Sequence, residues 1–279
     1  MAKIVVVGSL NMDVVAVAPR IPAAGETIIG SKFFTSPGGK GANQAYAAAK
    51  LAGSVAMVGR VGDDQFGRQM RQNLASVGCA IDAVKTVPGA SGVALIYVSE
   101  RGENSIVVVP GANHALLPSD ITFDECSVVL LQLETPIETV IAAARFAKQR
   151  NARVILDPAP APQAGLPREL LDSVDILTPN ETEAAILGDA LESPRTIILK
   201  LGERGCELRS GGKSTLIPAI RVNAVDTTAA GDVFNAALAV ALSEGAELEA
   251  ACRFAVKAAA VSVTRLGAQS SAPSRDEVS

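Results

Sequence analysis

The stretch Val225-Asp226-Thr227-Thr228-Ala229-Ala230-Gly231-Asp232 decides how this chain is read. The apolar Val222 and Val225 lead into it. Beyond it Phe234, Leu238, Ala241 and Leu242 recur at helical spacing, so a helix opens at its end. The turn is made of small residues, which lets backbone N–H groups lie close to a ligand. At a helix N-terminus those donors lack intrahelical partners and the helix dipole is positive, so an anion such as phosphate is favoured there. Asp232 adds a negative charge at the same place. Two readings fit it. It is a helix cap, as Asp often is, or it is a carboxylate that takes the proton of an attacking hydroxyl beside an electropositive pocket. These residues alone balance the two.

Working outward, short apolar runs at residues 3–7, 55–58, 128–133, 154–156, 176–177 and 196–199 read as strands. Most end in polar residues and are followed by a helical pattern. That order predicts a parallel sheet with helices on both faces. Ligands of open α/β sheets sit beyond the carboxyl ends of the strands. Asn11, Asp13, Glu134, Asn180 and Asp232, far apart in the chain, are therefore expected on one rim. Asn11 and Asp13 are two residues apart. If the chain is extended there, they point the same way and could bind vicinal hydroxyls; an Asx-turn is the other reading.

The segment Ser36-Pro37-Gly38-Gly39-Lys40-Gly41-Ala42-Asn43-Gln44 precedes an Ala-rich helix over residues 45–51. Three glycines around a lysine allow close backbone approach to a ligand, or form a flexible loop before the helix. The spacing is not that of a P-loop, and no G-x-G-x-x-G follows the first strand. Strand-like residues 14–18, 25–34 and 92–109 fall outside the strand–helix rhythm. They predict a small separate sheet, serving as a lid or an oligomer contact, because uncovered strand edges attract partners. Helices over 231–243 and 247–264 close the fold, with a loose polar tail over 270–279.

Composition narrows the function. With 48% hydrophobic residues a full core is available, and with only 3% aromatics it must be built from Ala, Val, Leu and Ile. A net charge of −4 without a basic run argues against nucleic acid or an anionic membrane as a partner. The apolar runs are too short to span a bilayer, and the first residues read as a strand rather than a signal peptide. Cys79, Cys126, Cys206 and Cys252 are scattered and read as reduced thiols, which places the chain in the cytoplasm. The single histidine, His114, reads as a loop residue, so His-based catalysis has little to build on.

With these pieces placed, the sequence resembles the ribokinase-like (PfkB) carbohydrate kinase family over nearly its whole length. The resemblance rests on Gly8-Ser9-Leu10-Asn11-Met12-Asp13, Pro37-Gly38-Gly39-Lys40-Gly41-Ala42-Asn43-Gln44, Thr178-Pro179-Asn180-Glu181-Thr182-Glu183 and Asp226 to Asp232. It implies one three-layer α/β/α domain over 1–279 with a mostly parallel central sheet, and a small lid sheet drawn from about 14–36 and 92–109. It implies ATP-dependent phosphorylation of the primary hydroxyl of a small sugar, with D-ribose the first expectation. Another sugar or a nucleoside as acceptor, or a non-catalytic sugar-binding protein, are the alternatives. By the same resemblance Asp232 matches the catalytic base and Ala229, Ala230 and Gly231 the anion hole. Asn11, Met12, Asp13, Gly39, Lys40, Gly41, Ala42, Asn43 and Glu134 match sugar-binding positions. Asn180 with Lys200, Leu201, Gly202, Glu203, Arg204 and Gly205 match the ATP side, along with Gly231 and Asp232. Asp226, Thr228, Ser262, Arg265, Gly267 and Ser271 match loops that hold a monovalent cation, usually K⁺. Mg²⁺ is expected with ATP, and a homodimer through the lid sheet. Near a helix dipole Asp232 is expected to stay ionised and to be a weak base by itself. Three departures stand out: only residues 184–195 separate the Asn180 motif from the next strand, Val256 stands where a polar residue near adenine is usual, and no final helix is expected after the last motif.

Overall fold

A computed structural model describes residues 3–52, 54–192 and 196–278. In chain order its strands are β1 (Ile4–Val7), β2 (Asn11–Ala18), β3 (Lys32–Gly38), β4 (Val55–Gly62), β5 (Val84–Val87), β6 (Gly92–Ser99), β7 (Asn104–Val109), β8 (Val128–Leu131), β9 (Arg153–Leu156), β10 (Ile176–Leu177), β11 (Thr196–Lys200), β12 (Cys206–Ser210) and β13 (Lys213–Ile217). The helices are α1 (Lys40–Ala52), α2 (Gln65–Ser76), α3 (Ile137–Gln149), α4 (Arg168–Leu171), α5 (Glu181–Leu187), α6 (Ala230–Ser243), α7 (Leu248–Ser262) and α8 (Arg275–Val278).

Nine strands form one sheet in the order β13-β12-β11-β10-β9-β8-β1-β4-β5. It is parallel from β11 to β5, while β12 and β13 add an antiparallel hairpin at one edge. The alternation within β1 shows how the layers form. Ile4 and Val6 point to a core shared with α1, α6 and α7; Val5 and Val7 point to a second core under α3. Because both faces are covered, the central strands are apolar throughout. Helix α6 is buried from Asp232 to Leu242 and α1 is rich in alanine. Small side chains let α1 and α6 pack closely, which brings the start of one beside the start of the other.

A second sheet, β3-β2-β6-β7, stands apart with β2 and β6 parallel at its centre. Its existence agrees with the sequence reading, but its boundaries differ. The strand expected over 25–34 lies at Lys32–Gly38, and β2 begins at Asn11 rather than at residue 14. Asn11 pairs with Gly38 and with Gly92, so glycine on both sides leaves room for a polar side chain to enter a strand. The β12–β13 hairpin was not anticipated. Its signal was present: Gly211 and Gly212 both have positive φ, as a type I′ turn requires.

The end of the chain corrects the expectation of a loose tail without a final helix. Ser271 and Ala272 are buried, and α8 puts Val278 into the core. Val256, read as a position near adenine, is also a core residue. The short segment after the Asn180 motif holds α5 and a 3-10 turn over Gly188–Glu192 before the residues outside the description.

Candidate active site

The site is built at the carboxyl edge of the parallel strands, where the start of α1 meets the start of α6. Asp232 is 5% exposed in the first turn of α6. It is not the cap. The cap position is Ala229, held at φ 58 with no side-chain hydrogen bond. The carboxylate instead accepts from Asn43 Nδ2 at 3.0 Å and from Gln44 Nε2 at 3.0 Å, both on α1. The two readings that the sequence left balanced are thus separated: the side chain faces the rim, not its own helix amides.

Burial pushes Asp232 up, and Asp157 adds to this; Lys40 and the two amide donors pull back, and the balance is about 6. The group is therefore ionised at neutral pH, as expected, but it is a stronger base than the helix dipole suggested, because removal from water outweighs the local positive charge. Asp13 is raised to about 7 by burial and by the charges of Glu134 and Asp232. Burial lowers Lys40, but Asp232, Asp157, Glu134 and Glu183 outweigh it, so Lys40 ends above its ordinary value. One lysine thus sits among several carboxylates.

Glycines make this crowding possible. A Cβ on Gly41 would lie 2.6 Å from Ser9 N and 2.7 Å from the Gly8 carbonyl carbon. A Cβ on Gly39, at φ +88, would lie 2.6 Å from Asn11 N. Helix α1 therefore starts against the β1–β2 connection, with the Lys40 amide donating to Glu134 Oε2 at 3.0 Å and Ser9 Oγ donating to the same oxygen. We expect Gly41→Ala to cost about 1–3 kcal/mol by overpacking against backbone that cannot yield. Urea denaturation checks this, and an unchanged midpoint would contradict it.

The rim continues toward the other expected cluster. Gln44 Nε2 also donates to Asp157 Oδ2 at 3.1 Å, and Asp157 Oδ1 accepts from Lys200 Nζ at 2.8 Å. A Cβ on Gly231 would lie 3.4 Å from Lys200 Nζ, so the α6 turn and β11 are adjacent. Asn180 caps α5 through its side chain, in a box completed by Glu183, and bridges to Lys200 through the backbone. Leu201 to Gly205 form a tight turn in which Leu201 N donates to Gly205 O at 2.8 Å, and Arg204 pairs with Glu181 at the surface. Glu203 is exposed there.

Two expected contacts are corrected in kind. Met12 and Ala42 are core residues, each 1% exposed. Met12 alternates away from Asn11 and Asp13, so neither it nor Ala42 offers a side chain to the rim. Asn11 does face it, with Oδ1 accepting from Asn113 Nδ2 at 2.7 Å.

The loops expected to hold a monovalent cation meet near the start of α6. Asp226 accepts from Thr228 N at 2.9 Å and from Gly267 N at 2.8 Å, and Asp226 N donates to Val263 O. Burial raises Asp226, but the bonds from Thr228 and Gly267 outweigh it and keep the group below the ordinary carboxylate value. Ser262 and Ser271 donate their hydroxyls to backbone carbonyls, which leaves oxygen lone pairs. The Arg265 guanidinium turns to Glu277, so only its carbonyl could serve an ion.

Sequence reasoning passed over four residues that the rim uses: Gln44, Asp157, Asn113 and Gln132, whose amide donates to Gln44 Oε1 at 2.6 Å. Asp157 was legible, since it ends β9 just as Glu134 follows β8.

The comparisons agree with this architecture. A family model for pfkB family carbohydrate kinases matches residues 1–275, and the chain belongs to that family. It is 45% identical over 291 residues to a ribokinase of Bacillus subtilis, covering 100% of this chain and 98% of that one. Among solved structures, a ribokinase of Thermotoga maritima superposes with a TM-score of 0.93 at 40% identity, covering 100% of this chain and 98% of that one. A ribokinase of Arabidopsis thaliana complexed with ribose and ATP superposes with a TM-score of 0.89 at 37% identity, covering 99% and 97%.

Proposed function

We propose that this carbohydrate kinase transfers the γ-phosphoryl group of ATP to the primary hydroxyl of D-ribose, giving D-ribose 5-phosphate. The observation that carries the reading is Asp232: a carboxylate 5% exposed, held by two amides and turned away from its own helix, next to the small-residue turn at the start of α6. Phosphoryl transfer needs positioning and charge stabilisation more than covalent chemistry. Asn11, Asp13, Gly39, Lys40, Gly41, Asn43 and Glu134 hold the sugar. The hydroxyl proton passes to Asp232 as its oxygen bonds to phosphorus and ADP leaves. The Ala230 amide is turned to Thr227 O, so the amides of Ala229 and Gly231 are the donors assigned to the transferring group. Asn180, Lys200 and the turn from Leu201 to Gly205 form the nucleotide side. Mg²⁺ neutralises phosphate charge when bound, and Asp157 and Glu183 supply oxygen donors of the kind it takes. ADP release measured with ribose, 2-deoxyribose, fructose and adenosine tests the substrate. Turnover with none of them would favour a binding protein, and preference for adenosine a nucleoside kinase.

The loops around Asp226 suit a monovalent cation. They offer one ionised carboxylate with hydroxyl and carbonyl oxygens, and among the described residues no cluster of three or more His, Cys, Asp or Glu could hold a metal. Asp226, Thr228, Ser262, Gly267, Ser271 and the Arg265 carbonyl would bind K⁺ and fix the turn ahead of α6. Replacing K⁺ by Na⁺ at constant ionic strength should lower kcat several-fold; indifference would remove the cation site.

The small sheet is read as a lid and as a dimer contact. Both faces carry exposed apolar residues: Phe34, Ile106 and Val108 on the face of Asn11 and Asp13, and Phe33, Leu95, Tyr97 and Val107 on the opposite face. A second copy covering that face accounts for its apolar character. Light scattering should give twice the chain mass, and a monomer at micromolar concentration would contradict it. No helix among the described residues is long and apolar enough to cross a membrane. With four free cysteines, this supports a cytoplasmic enzyme.

A further inference from the structure

Behind Asp232 runs a line of three amides; Asn43 is already assigned to the sugar, and the other two have no assigned role. Asn73 on α2 donates from Nδ2 to Gln269 Oε1. Gln269 donates from Nε2 to Asn43 Oδ1 at 3.1 Å, and Asn43 donates from Nδ2 to Asp232 Oδ2 at 3.0 Å. Gln269 is 4% exposed and Asn43 9%, so water does not compete freely for these bonds. All three donors point the same way, toward the carboxylate. Amides polarised in series strengthen one another.

The direction of the chain matters because an amide can be flipped. Asn43 alone could present either its NH₂ or its carbonyl to Asp232. With the NH₂ it stabilises the carboxylate; with the carbonyl it stabilises the protonated acid. Gln269 couples the choice to its own orientation: with its NH₂ on the Asn43 oxygen, Asn43 presents its NH₂ to Asp232. Asn73 donates to Gln269 on its acceptor side and completes the line. The loop that carries it is anchored two residues earlier, where Gly267 N donates to Asp226 Oδ2 at 2.8 Å.

We propose that Gln269 is a positioning residue for the base: it locks Asn43 as a donor and so keeps Asp232 ready to accept a proton. This rests on the reading of Asp232 as the base. The charged groups facing that carboxylate are Lys40 from α1, Asp157 from β9 and Asp13 from β2, with Glu134 and Lys200 flanking the rim. None of them is removed by a change at residue 269, so their contribution stays constant in the comparison.

The test uses Gln269→Met, which keeps the side-chain volume but has no donor, with Asn73→Leu as a milder second variant. The pH dependence of kcat/KM for ribose is measured for each, alone and combined with Asp232→Asn. Releasing Asn43 should move the acid limb of Gln269→Met upward by roughly half a pH unit to one unit. Its kcat should fall about 3–9-fold at pH 5 and by less than about twofold at pH 7, as that shift dictates. Asn73→Leu should shift the limb in the same direction by less. In the Asp232→Asn background, Gln269→Met should change the residual rate by less than about twofold, since residues acting as a unit are not additive. A Gln269→Met profile that coincides with wild type overturns the proposal, as does a full Gln269→Met penalty that persists without Asp232. A different pattern, Asp232→Asn turning over like wild type, takes down the base assignment itself and the relay with it.

Discussion

Asp232→Asn should lower turnover by on the order of a hundredfold or more, as for loss of a general base, with little change in the binding of ribose or ATP. The substitution keeps size and removes the proton acceptor. It also removes a buried charge that the surroundings hold up at about 6, so the folded state should not suffer from it. One amide of the pair Asn43 and Gln44 must then meet an amide instead of a carboxylate. Gln44 is tied on its other side to Gln132 and Asn43 to Gln269, so neither donor turns and one of them faces the new NH₂ group. That local change is small beside the lost base, and it predicts a fall in kcat with KM within a few-fold. A drop in kcat/KM caused wholly by KM would mean that Asp232 binds and does not react.

Asp13→Asn should have two large effects of opposite benefit. Asp13 ionises near 7 in the folded chain against 3.8 for an ordinary Asp. A raised carboxylate costs stability wherever the unfolded chain would ionise it: the cost is absent below about pH 4, grows between 4 and 7 while the folded chain still holds the proton, and is complete above. At pH 8 the Asn variant should therefore be more stable, by roughly 2–4 kcal/mol, and this advantage should vanish near pH 4. Sugar affinity should fall, since a hydrogen bond to a charged group is worth about 1.5–3 kcal/mol, or roughly 10- to 150-fold in KM. Thermal melting at pH 4 and pH 8 and the KM for ribose check both halves. Equal melting temperatures at both pH values would show that Asp13 carries no buried cost.

Much of the fold was legible because parallel strands covered on both faces leave unbroken apolar runs. Strands β1, β9, β10 and β11 and helices α6 and α7 could be placed within a residue or two for that reason. The small sheet was harder. Its faces are not both buried, so Lys32, Thr35 and Ser36 stand inside β3 and blur the pattern. The hairpin β12–β13 was missed because Lys213, Ser214 and Thr215 are polar, although the two glycines marked the turn. At the site, the convergence of Asn11, Asp13, Glu134, Asn180 and Asp232 follows from topology, since each stands at a strand end or helix start on one rim. Residues that act through the side chain of another residue could not be read this way. Gln44 and Gln269 are neutral, lie beyond the expected contacts, and gain their meaning only when α1, α6 and the 266–272 loop are packed together. The tail was misjudged for a related reason: Ser271 and Ala272 look like part of a solvated segment until their burial beside Lys50 of α1 is seen.

The most direct measurement is the pH dependence of kcat/KM for ribose in wild type and Asp232→Asn, from pH 5 to pH 8. On acidification the wild type should lose activity in two overlapping limbs, the upper near pH 7 as Asp13 is protonated and the lower near pH 6 as Asp232 is. Asp232→Asn should be slow and lack the lower limb. A wild-type profile that stays flat down to pH 5, or an Asn variant that keeps the lower limb, would show that the proton goes elsewhere.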